Sequence, residues 1–108
     1  MEPSNLDAAF EKAVSGEKHG MVHLRLFVAG FTPRSRVAIQ RLRELCEEFL
    51  SNHYQLEIID IYQQPKLARE QQIIATPTLI RYQPNPKRVL IGDLSSKERV
   101  VNCLGLGV

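Results

Sequence analysis

The first regular pattern in the chain is an alternation of hydrophobic and polar residues, which is typical of a strand with two different faces. Leu24, Leu26 and Val28 fall on one face, and Arg25 and Phe27 fall on the other. This pattern predicts that the first strand of the fold lies here, immediately before an Ala-Gly pair.

Helical spacing replaces the alternation at Thr32-Pro33. Threonine is a frequent N-cap residue, and proline suits the first helical position because its missing N–H would have no partner there. The apolar positions that follow recur every three or four residues, and they are Ala38, Ile39, Leu42, Leu45, Cys46, Phe49 and Leu50. A long helix is therefore predicted, and the β-rich run Leu56–Ile61 after it predicts a buried, central strand. Together these elements predict a right-handed βαβ unit with two parallel strands.

Four shorter elements are predicted in the second half of the chain. They are a helix over residues 65–71, a strand over 78–82, a hairpin strand over 89–91 and a helix that opens with a capping box at Ser95 and Glu98. Several of these segments suit either helix or strand, and the last helix is rich in β-branched valine. The order of elements predicts an α/β fold, a thioredoxin-like βαβ-α-ββ-α domain over residues 22–108.

Residues 1–21 precede this domain and are predicted to be an N-terminal extension. It contains an apolar stripe with helical spacing, formed by Leu6, Ala9, Phe10, Ala13 and Val14. A short helix and a disordered tail are both compatible with this pattern. Four acidic residues against two basic ones give residues 1–22 a net charge of −2, whereas the whole chain carries +2. The extension is therefore acidic, and the domain is mildly basic.

Length and composition limit the functions open to the chain. Its 108 residues fit one small domain, and 44% hydrophobic residues support a modest core. No apolar run reaches the roughly 20 residues that a membrane span needs, and the N-terminus lacks the pattern of a signal peptide. The basic residues are scattered without an aromatic ladder, which argues against nucleic acid as a partner. We therefore expect a cytoplasmic protein that binds neither membranes nor nucleic acids.

The thioredoxin-like order directs attention to the position where such domains carry their redox chemistry. It lies where the first strand meets the first helix, here Thr32–Ser35, and opposite a cis proline, here Pro77. The two thiols of a dithiol oxidoreductase are absent from this position. The chain's two cysteines, Cys46 and Cys103, fall on apolar helix faces and are predicted to be buried hydrophobic residues.

Other catalytic or cofactor-binding patterns have little support. The six glycines occur without the spacing of a phosphate-binding loop, and the three histidines lack a convincing metal partner. We therefore expect no catalytic residues, no cofactor and no metal. The alternative is a thioredoxin-like enzyme, or a peptide- or glutathione-binding module without a dithiol site, that uses Thr32–Ser35 and the backbone beside Pro77.

Several segments, taken in order, resemble the KaiB family of circadian clock proteins. They are Leu24–Gly30 followed by Thr32-Pro33 and Ser35, then Ile59–Ile61, Pro65 with Leu67-Ala68, Ile74–Leu79 and Ile91–Ser95. The match covers roughly residues 22–104. Its Ala-Thr-Pro-Thr-Leu and Ile-Gly-Asp-Leu-Ser segments make it specific.

The resemblance implies a non-enzymatic regulator that binds the hexameric ring of a KaiC-type ATPase and changes its phosphorylation or output. It also implies KaiA, SasA or CikA as further partners, and self-association to a dimer or tetramer. Family members are metamorphic, because a resting form with a differently folded C-terminal half exchanges with a thioredoxin-like monomer that binds partners. Two packings coexist only when they differ by a few kcal/mol, which agrees with the ambiguous second half of this chain. By resemblance, the fold-switch residues are Gly92, Asp93 and Pro77.

The same resemblance implies two partner-binding surfaces. The ring-binding surface comprises Lys66, Arg69, Gln72, Ile73 and Arg81. The surface that family members use for KaiA and CikA corresponds to Tyr54, Gln55 and Glu57. Gln72 stands where clock members often carry a basic residue, and Glu57 stands where they usually do. Both departures argue against standard partner binding, so a divergent paralogue is favoured over a standard clock KaiB.

Overall fold

The computed structural model describes residues 21–92 and 94–105, and these form an alternating series of strands and helices. In chain order the elements are β1 (Val22–Val28), α1 (Pro33–Leu50), β2 (Tyr54–Asp60), α2 (Pro65–Glu70), β3 (Thr78–Gln83), β4 (Arg88–Ile91) and α3 (Lys97–Cys103). The predicted order βαβ-α-ββ-α is confirmed. Residues 1–20 of the predicted extension, and Asp93 of the predicted fold switch, lie outside the described residues.

One four-stranded sheet, with the strand order β2-β1-β3-β4, organises the fold. β1 and β2 are parallel, and Leu24 lies opposite Leu56, as the predicted βαβ unit requires. β3 is antiparallel to both β1 and β4, so β3 and β4 form the predicted hairpin. The prediction that the second strand is central and buried was wrong. β2 is an edge strand because β3 occupies the other side of β1, and Gln55 and Glu57 of β2 are exposed.

α1 begins as the sequence predicts. The backbone of Thr32 is extended, and its side-chain oxygen accepts a hydrogen bond of 3.1 Å from the backbone N–H of Ser35. Pro33 occupies the start of the helix, where no N–H donor is needed. The helix then runs for 18 residues and ends at Ser51, whose N–H donates to the carbonyl of Cys46 at 3.1 Å. Its buried side chains pack on β1, so the helix crosses one face of the sheet.

Two hydrophobic clusters cover the two faces of the sheet. The larger cluster joins β1 and β3 to α1 and α3, and its fully buried members include Leu26, Leu42, Leu79 and Val100. The smaller one lies on the opposite face, where Phe27, Ile59 and Ile80 pack against α2 and the segment after it. This division follows the alternation predicted for β1, with Leu26 on one side and Phe27 on the other.

The last helix starts one residue later than predicted. Ser96, not Ser95, is the N-cap, and its hydroxyl oxygen accepts from the backbone N–H of Arg99 at 3.3 Å. The predicted capping box is therefore wrong, because the residue three places after this cap is an arginine and not a glutamate. The helix still buries Val100 and Cys103.

Candidate partner-binding site

Helix α2 is held by its backbone and not by side-chain caps. The side chain of its N-cap residue, Gln64, makes no capping hydrogen bond, and Pro65 occupies its first turn. At the other end, the N–H of Ile73 donates to Ala68 and the N–H of Gln72 donates to Arg69, both at 3.0 Å. This hydrogen-bond pair is a Schellman motif, which places Gln72 at the left-handed position with a φ of 57°. Glycine usually occupies that position because a Cβ atom disfavours it.

Four of the five residues predicted to bind the ATPase ring come together on and after α2. Lys66, Arg69 and Gln72 are exposed, and Ile73 is half-buried against the smaller hydrophobic cluster. Lys66 and Arg69 are three residues apart in the helix, so their side chains are neighbours on its surface. Together with the exposed Glu70 beside them, these two cations give the helix surface a net charge of +1, and Ile73 anchors it by an apolar contact. We call this set, Lys66, Arg69, Gln72 and Ile73, the α2 surface.

Arg81 is not part of the α2 surface. Leu79 and Arg81 share the face of β3 that packs towards α1 and α3, whereas Ile80 belongs to the α2 side. Arg81 is only 4% exposed, and its Nη2 donates to the carbonyl of Pro86 at 2.7 Å. Its Nε has no hydrogen-bond partner among the described residues, and burial lowers the pKa of its guanidinium. In this conformation Arg81 is enclosed within the fold, so its predicted contact with a partner stays a prediction.

The edge strand β2 presents its three predicted partner-binding residues on two different faces. Tyr54 packs with the larger cluster, and its hydroxyl donates to the carboxylate of Glu47, which raises the pKa of Tyr54 to about 12. Gln55 and Glu57 lie on the other face, where Arg25 donates from Nε to Oε1 of Glu57 at 2.8 Å. The predicted edge surface is therefore one polar face formed by Gln55 and Glu57, with Tyr54 behind it.

The polar face continues inward as a shallow groove. Its volume is about 200 Å³, and its lining includes His23, Arg25, Gln55, Glu57 and Tyr82. The guanidinium of Arg25 lies 5.3 Å from the centre of the Tyr82 ring, a cation–π distance. Helix α2 covers the opposite end of this sheet face, so the groove lies on the part of the face that no described helix covers.

The position that carries redox chemistry in thioredoxins is present here without its thiols. A cavity of about 190 Å³ lies between the start of α1 and Pro77, and it is lined by Thr32 and Ser35 among others. The Thr76-Pro77 peptide is cis, as predicted. Both cysteines are free and buried, which confirms that prediction. Burial raises the pKa of the Cys46 thiol to about 12, and it also raises the pKa of Cys103.

Two of the predicted fold-switch residues are joined by a backbone hydrogen bond. The N–H of Gly92 donates to the carbonyl of Pro77 at 3.0 Å, at the end of the β3–β4 hairpin. Gly92 has a φ of 109°, which L-amino acids rarely adopt. Apart from its chain neighbours, no described residue places an atom within 4 Å of the position where its Cβ would stand. The backbone conformation, and not crowding, is therefore the reason that glycine suits this position.

Sequence reasoning did not identify three residues that shape the α2 surface. Tyr62 is 72% exposed before α2, and Ile74 is 85% exposed after it, so two large apolar side chains flank the basic helix. Asp60 is buried, and its carboxylate accepts hydrogen bonds from the backbone N–H groups of Gly30 at 3.1 Å and Tyr62 at 2.9 Å. Asp60 therefore fixes the loop that carries Tyr62. The only sequence signal was a tyrosine in a polar loop, which is common on protein surfaces.

The sequence profile of the KaiB domain matches residues 25–106 of the chain. The chain belongs to the KaiB family. The circadian clock oscillator protein KaiB of Prochlorococcus marinus is 48% identical over 83 residues, which are 77% of this chain and 79% of that protein. The circadian clock protein KaiB3 of a Synechocystis species is 44% identical over 85 residues, or 79% of this chain and 81% of that protein.

Solved structures place this KaiB-family chain in the thioredoxin-like fold. The N-terminal domain of SasA from Synechococcus elongatus matches with a TM-score of 0.61 at 24% identity. The matched region covers 81% of this chain and 76% of the SasA domain. The thioredoxin Deadhead from Drosophila melanogaster matches over the full length of both chains with a TM-score of 0.65 at 14% identity. These similarities confirm the predicted fold class.

Two absences apply to the described part of the KaiB-family chain. Residues 21–92 and 94–105 contain no group of three or more histidine, cysteine, aspartate or glutamate side chains placed to hold a metal ion. Over the same residues, no helix is both long and apolar enough to cross a membrane.

Proposed function

We propose that this chain is a non-catalytic clock regulator that binds the hexameric ring of a KaiC-type ATPase through the α2 surface. The observation that carries the proposal is the exposed pair Lys66 and Arg69 between the apolar side chains of Tyr62 and Ile74. Cations beside exposed aromatic and aliphatic groups are typical of an interface, since the apolar groups supply buried area and the cations supply specificity. Membership of the KaiB family supports a clock-related role.

The test is light scattering coupled to size-exclusion chromatography, with the chain mixed with KaiC homologues in ATP or ADP. We expect a complex with the hexamer whose formation depends on the nucleotide. Lys66→Glu combined with Arg69→Glu should weaken that complex. Arg36→Glu combined with Arg43→Glu is the matched control, because it makes the same charge change on exposed positions of α1, across the sheet. A chain that stays unbound to every KaiC homologue would refute the proposal.

We further propose that Gln55 and Glu57 on the β2 edge contact a second clock protein of the KaiA, SasA or CikA type. An edge strand offers unpaired backbone groups, and the groove beside Glu57 adds charged and aromatic side chains for recognition. Because Glu57 is paired with Arg25, a partner with a basic side chain must compete for that carboxylate. Glu57→Gln should change affinity for such a partner without changing binding to the KaiC-type ring, and equal effects on both would contradict two separate surfaces.

The proposal includes fold-dependent association. The described conformation is the thioredoxin-like one, and we propose that a dimer or tetramer with a differently folded second half is the resting form. Gly92→Ala tests this, because the substitution strains residue 92 wherever its φ is positive. The ratio of the two forms, counted from their separate NMR signals, should change, and the direction of the change reports which form strains residue 92 more. Unchanged populations would contradict the switch.

The cavity at Pro77 supports a second candidate, a peptide- or glutathione-binding module. The observation in its favour is the cavity between the start of α1 and the cis proline Pro77. Thiol–disulfide exchange has little chemical support there, because Thr32 and Ser35 form no thiolate near neutral pH and the buried cysteines resist ionisation. Binding of glutathione or a peptide at this cavity would favour the binding module over the regulatory function. Turnover of glutathione or a disulfide substrate would instead favour a thioredoxin-like enzyme.

A further inference from the structure

A second groove on the molecule lies on the side of α1 that faces Leu94. Arg34, Val37 and Arg41 line one wall, and Pro77 and Leu94 line the other. The groove holds about 300 Å³, and its lining is mainly apolar. Val37, an apolar side chain in this wall, is 56% exposed. We call it the α1 groove, and neither the KaiC-type ring nor the edge partner proposed above uses it.

The charge around the α1 groove is unbalanced. The first eleven residues of α1 carry four exposed arginines, two of which, Arg34 and Arg41, line the groove. No acidic residue lies in the first turn of the helix. Within residues 21–92 and 94–105, neither Arg34 nor Arg41 forms an ion pair. Cations at a helix N-terminus are unfavourable, because the helix dipole already places positive charge there. An acidic occupant of the groove would pair with these arginines and would also offset the positive end of the helix dipole.

The chain itself contains a segment with the matching chemistry. Residues 1–20 combine net negative charge with an apolar stripe that includes Leu6 and Phe10. In a helix, Asp7 and Glu11 would lie four residues apart along one border of that stripe. Apolar side chains bordered by carboxylates complement an apolar groove bordered by arginines.

The segment is also long enough to reach the groove. β1 has 7 residues and spans about 23 Å, from the end where residue 21 enters to the end near Pro77. α1 runs back along β1, so Arg41 lies about 12 Å closer to the entry end than the start of the helix does. Residues 15–21 alone span up to about 24 Å when extended. The stripe can therefore lie along the groove without strain.

We propose that the acidic N-terminal segment, residues 1–20, docks in the α1 groove of its own chain. The docked segment covers Val37 and pairs its carboxylates with Arg34 and Arg41. Pro77 lines both this groove and the neighbouring cavity, so the docked segment lies beside that cavity.

The experiment uses the full chain with a nitroxide spin label on Ser4→Cys and ¹⁵N NMR. The native cysteines are buried, so the label goes to residue 4. We expect the amide signals of Val37 and Arg41 to lose more than half of their intensity to paramagnetic broadening. Gln55 and Val89, on other surfaces, should keep theirs. High salt should reduce the broadening at the groove, because part of the attraction is between charges.

Charge reversal identifies the contacts. Arg34→Glu combined with Arg41→Glu should abolish the broadening, and adding Asp7→Arg with Glu11→Arg should restore it. The matched control, Arg36→Glu combined with Arg43→Glu, changes the same helix by the same charge but leaves the groove lining intact, so broadening should persist. Amide dispersion verifies that each variant is folded, and the salt titration tests the unmodified groove.

Three results would overturn the proposal. The first is broadening that is absent or spread evenly over the surface. The second is broadening that appears only when spin-labelled chain is mixed with separate ¹⁵N-labelled chain, because the occupant would then be the segment of another copy. The third is broadening at the groove that Arg34→Glu combined with Arg41→Glu leaves unchanged. None of these results depends on binding to a KaiC-type ring, so the docking and the proposed function can fail separately.

Discussion

The left-handed backbone at Gln72 gives the sharpest stability prediction. Gln72 has a φ of 57°, and its N–H and that of Ile73 close the Schellman motif that ends α2. A side chain with a Cβ atom in this conformation costs about 1–2 kcal/mol relative to right-handed backbone. Glycine avoids that cost, so Gln72→Gly should stabilise the thioredoxin-like form.

The expected gain is smaller than the strain that is removed. Glycine also gives the unfolded chain more conformational freedom, which costs about 0.4–1 kcal/mol. The difference leaves a net stabilisation of about 0.5–1 kcal/mol. Gln72 is exposed, and within residues 21–92 and 94–105 its side chain makes no hydrogen bond, so the loss of the amide adds no further penalty. For a domain of this size, the gain corresponds to a rise in Tm of roughly 3–6 °C.

The measurement is urea or thermal unfolding followed by circular dichroism. Gln63→Gly is the matched control, because Gln63 is also an exposed glutamine near α2 but is not among the residues with positive φ. Only the entropic cost applies there, so Gln63→Gly should lower the free energy of unfolding by about 0.5–1 kcal/mol. Two glutamine-to-glycine changes then shift stability in opposite directions. A loss of stability in both variants would refute the assignment of strain to Gln72.

Three further outcomes follow from buried polar groups. Arg81→Ala should lower the free energy of unfolding by about 2–4 kcal/mol, because it leaves a cavity and an unpaired carbonyl, and wild-type stability in this variant would contradict the enclosed position of Arg81. Asp60→Ala should cost about 2 kcal/mol by removing the acceptor of two backbone N–H groups, whereas Asp60→Asn keeps an acceptor and should cost less; equal losses in urea titrations would contradict this. The Cys46 thiol has a raised pKa of about 12 in the folded state, so the unfolded chain releases this proton first as the pH rises. The free energy of unfolding should therefore fall between about pH 8.5, the ordinary thiol pKa, and pH 12, by up to about 1.4 kcal/mol per pH unit. Cys46→Ala should reduce that dependence in unfolding measurements between pH 8 and 11, while the raised pKa values of Cys103 and Tyr54 preserve part of it, and an unchanged slope would exclude Cys46 as a source.

The elements with strong local signals were predictable from the sequence. Thr32-Pro33 specifies the start of α1 through one side-chain acceptor and one missing N–H, and both effects are local. The alternation in β1 likewise specified which side chains face each cluster. These features depend on neighbours in sequence, so a single chain contains the information that determines them.

The features that sequence reasoning missed depend on neighbours in space. The hydrophobic run of β2 suits a central strand, but its place at the edge was decided by the pairing of β1 with β3. Arg81 looked like a surface cation, yet its position on β3 directs it to the face covered by α1 and α3. The choice between Ser95 and Ser96 as the cap of α3 was equally non-local, because both residues offer the same hydroxyl.

The location of the candidate site was predictable from the sequence, but the side chains exposed on its surface were not. The family resemblance indicated α2 and the β2 edge, and four residues of the α2 surface do lie together. The exposure of Tyr62 and Ile74 was not predictable, since tyrosine and isoleucine are more often at least partly buried. Their exposure results from the loop that Asp60 fixes and from the helix end at Gln72.

The unequal lengths of the elements have a consequence for local unfolding. α1 has 18 residues and the parallel strands beside it have 7 each, whereas α2 has 6, β4 has 4 and α3 has 7. Backbone amides in β1 and α1 should therefore exchange with solvent only when the whole domain opens, while those in α2, β4 and α3 exchange through smaller openings. The N-terminal βαβ unit is then expected to be the cooperative unit that opens last. The second half, with its shorter elements, is expected to open locally while that unit stays folded.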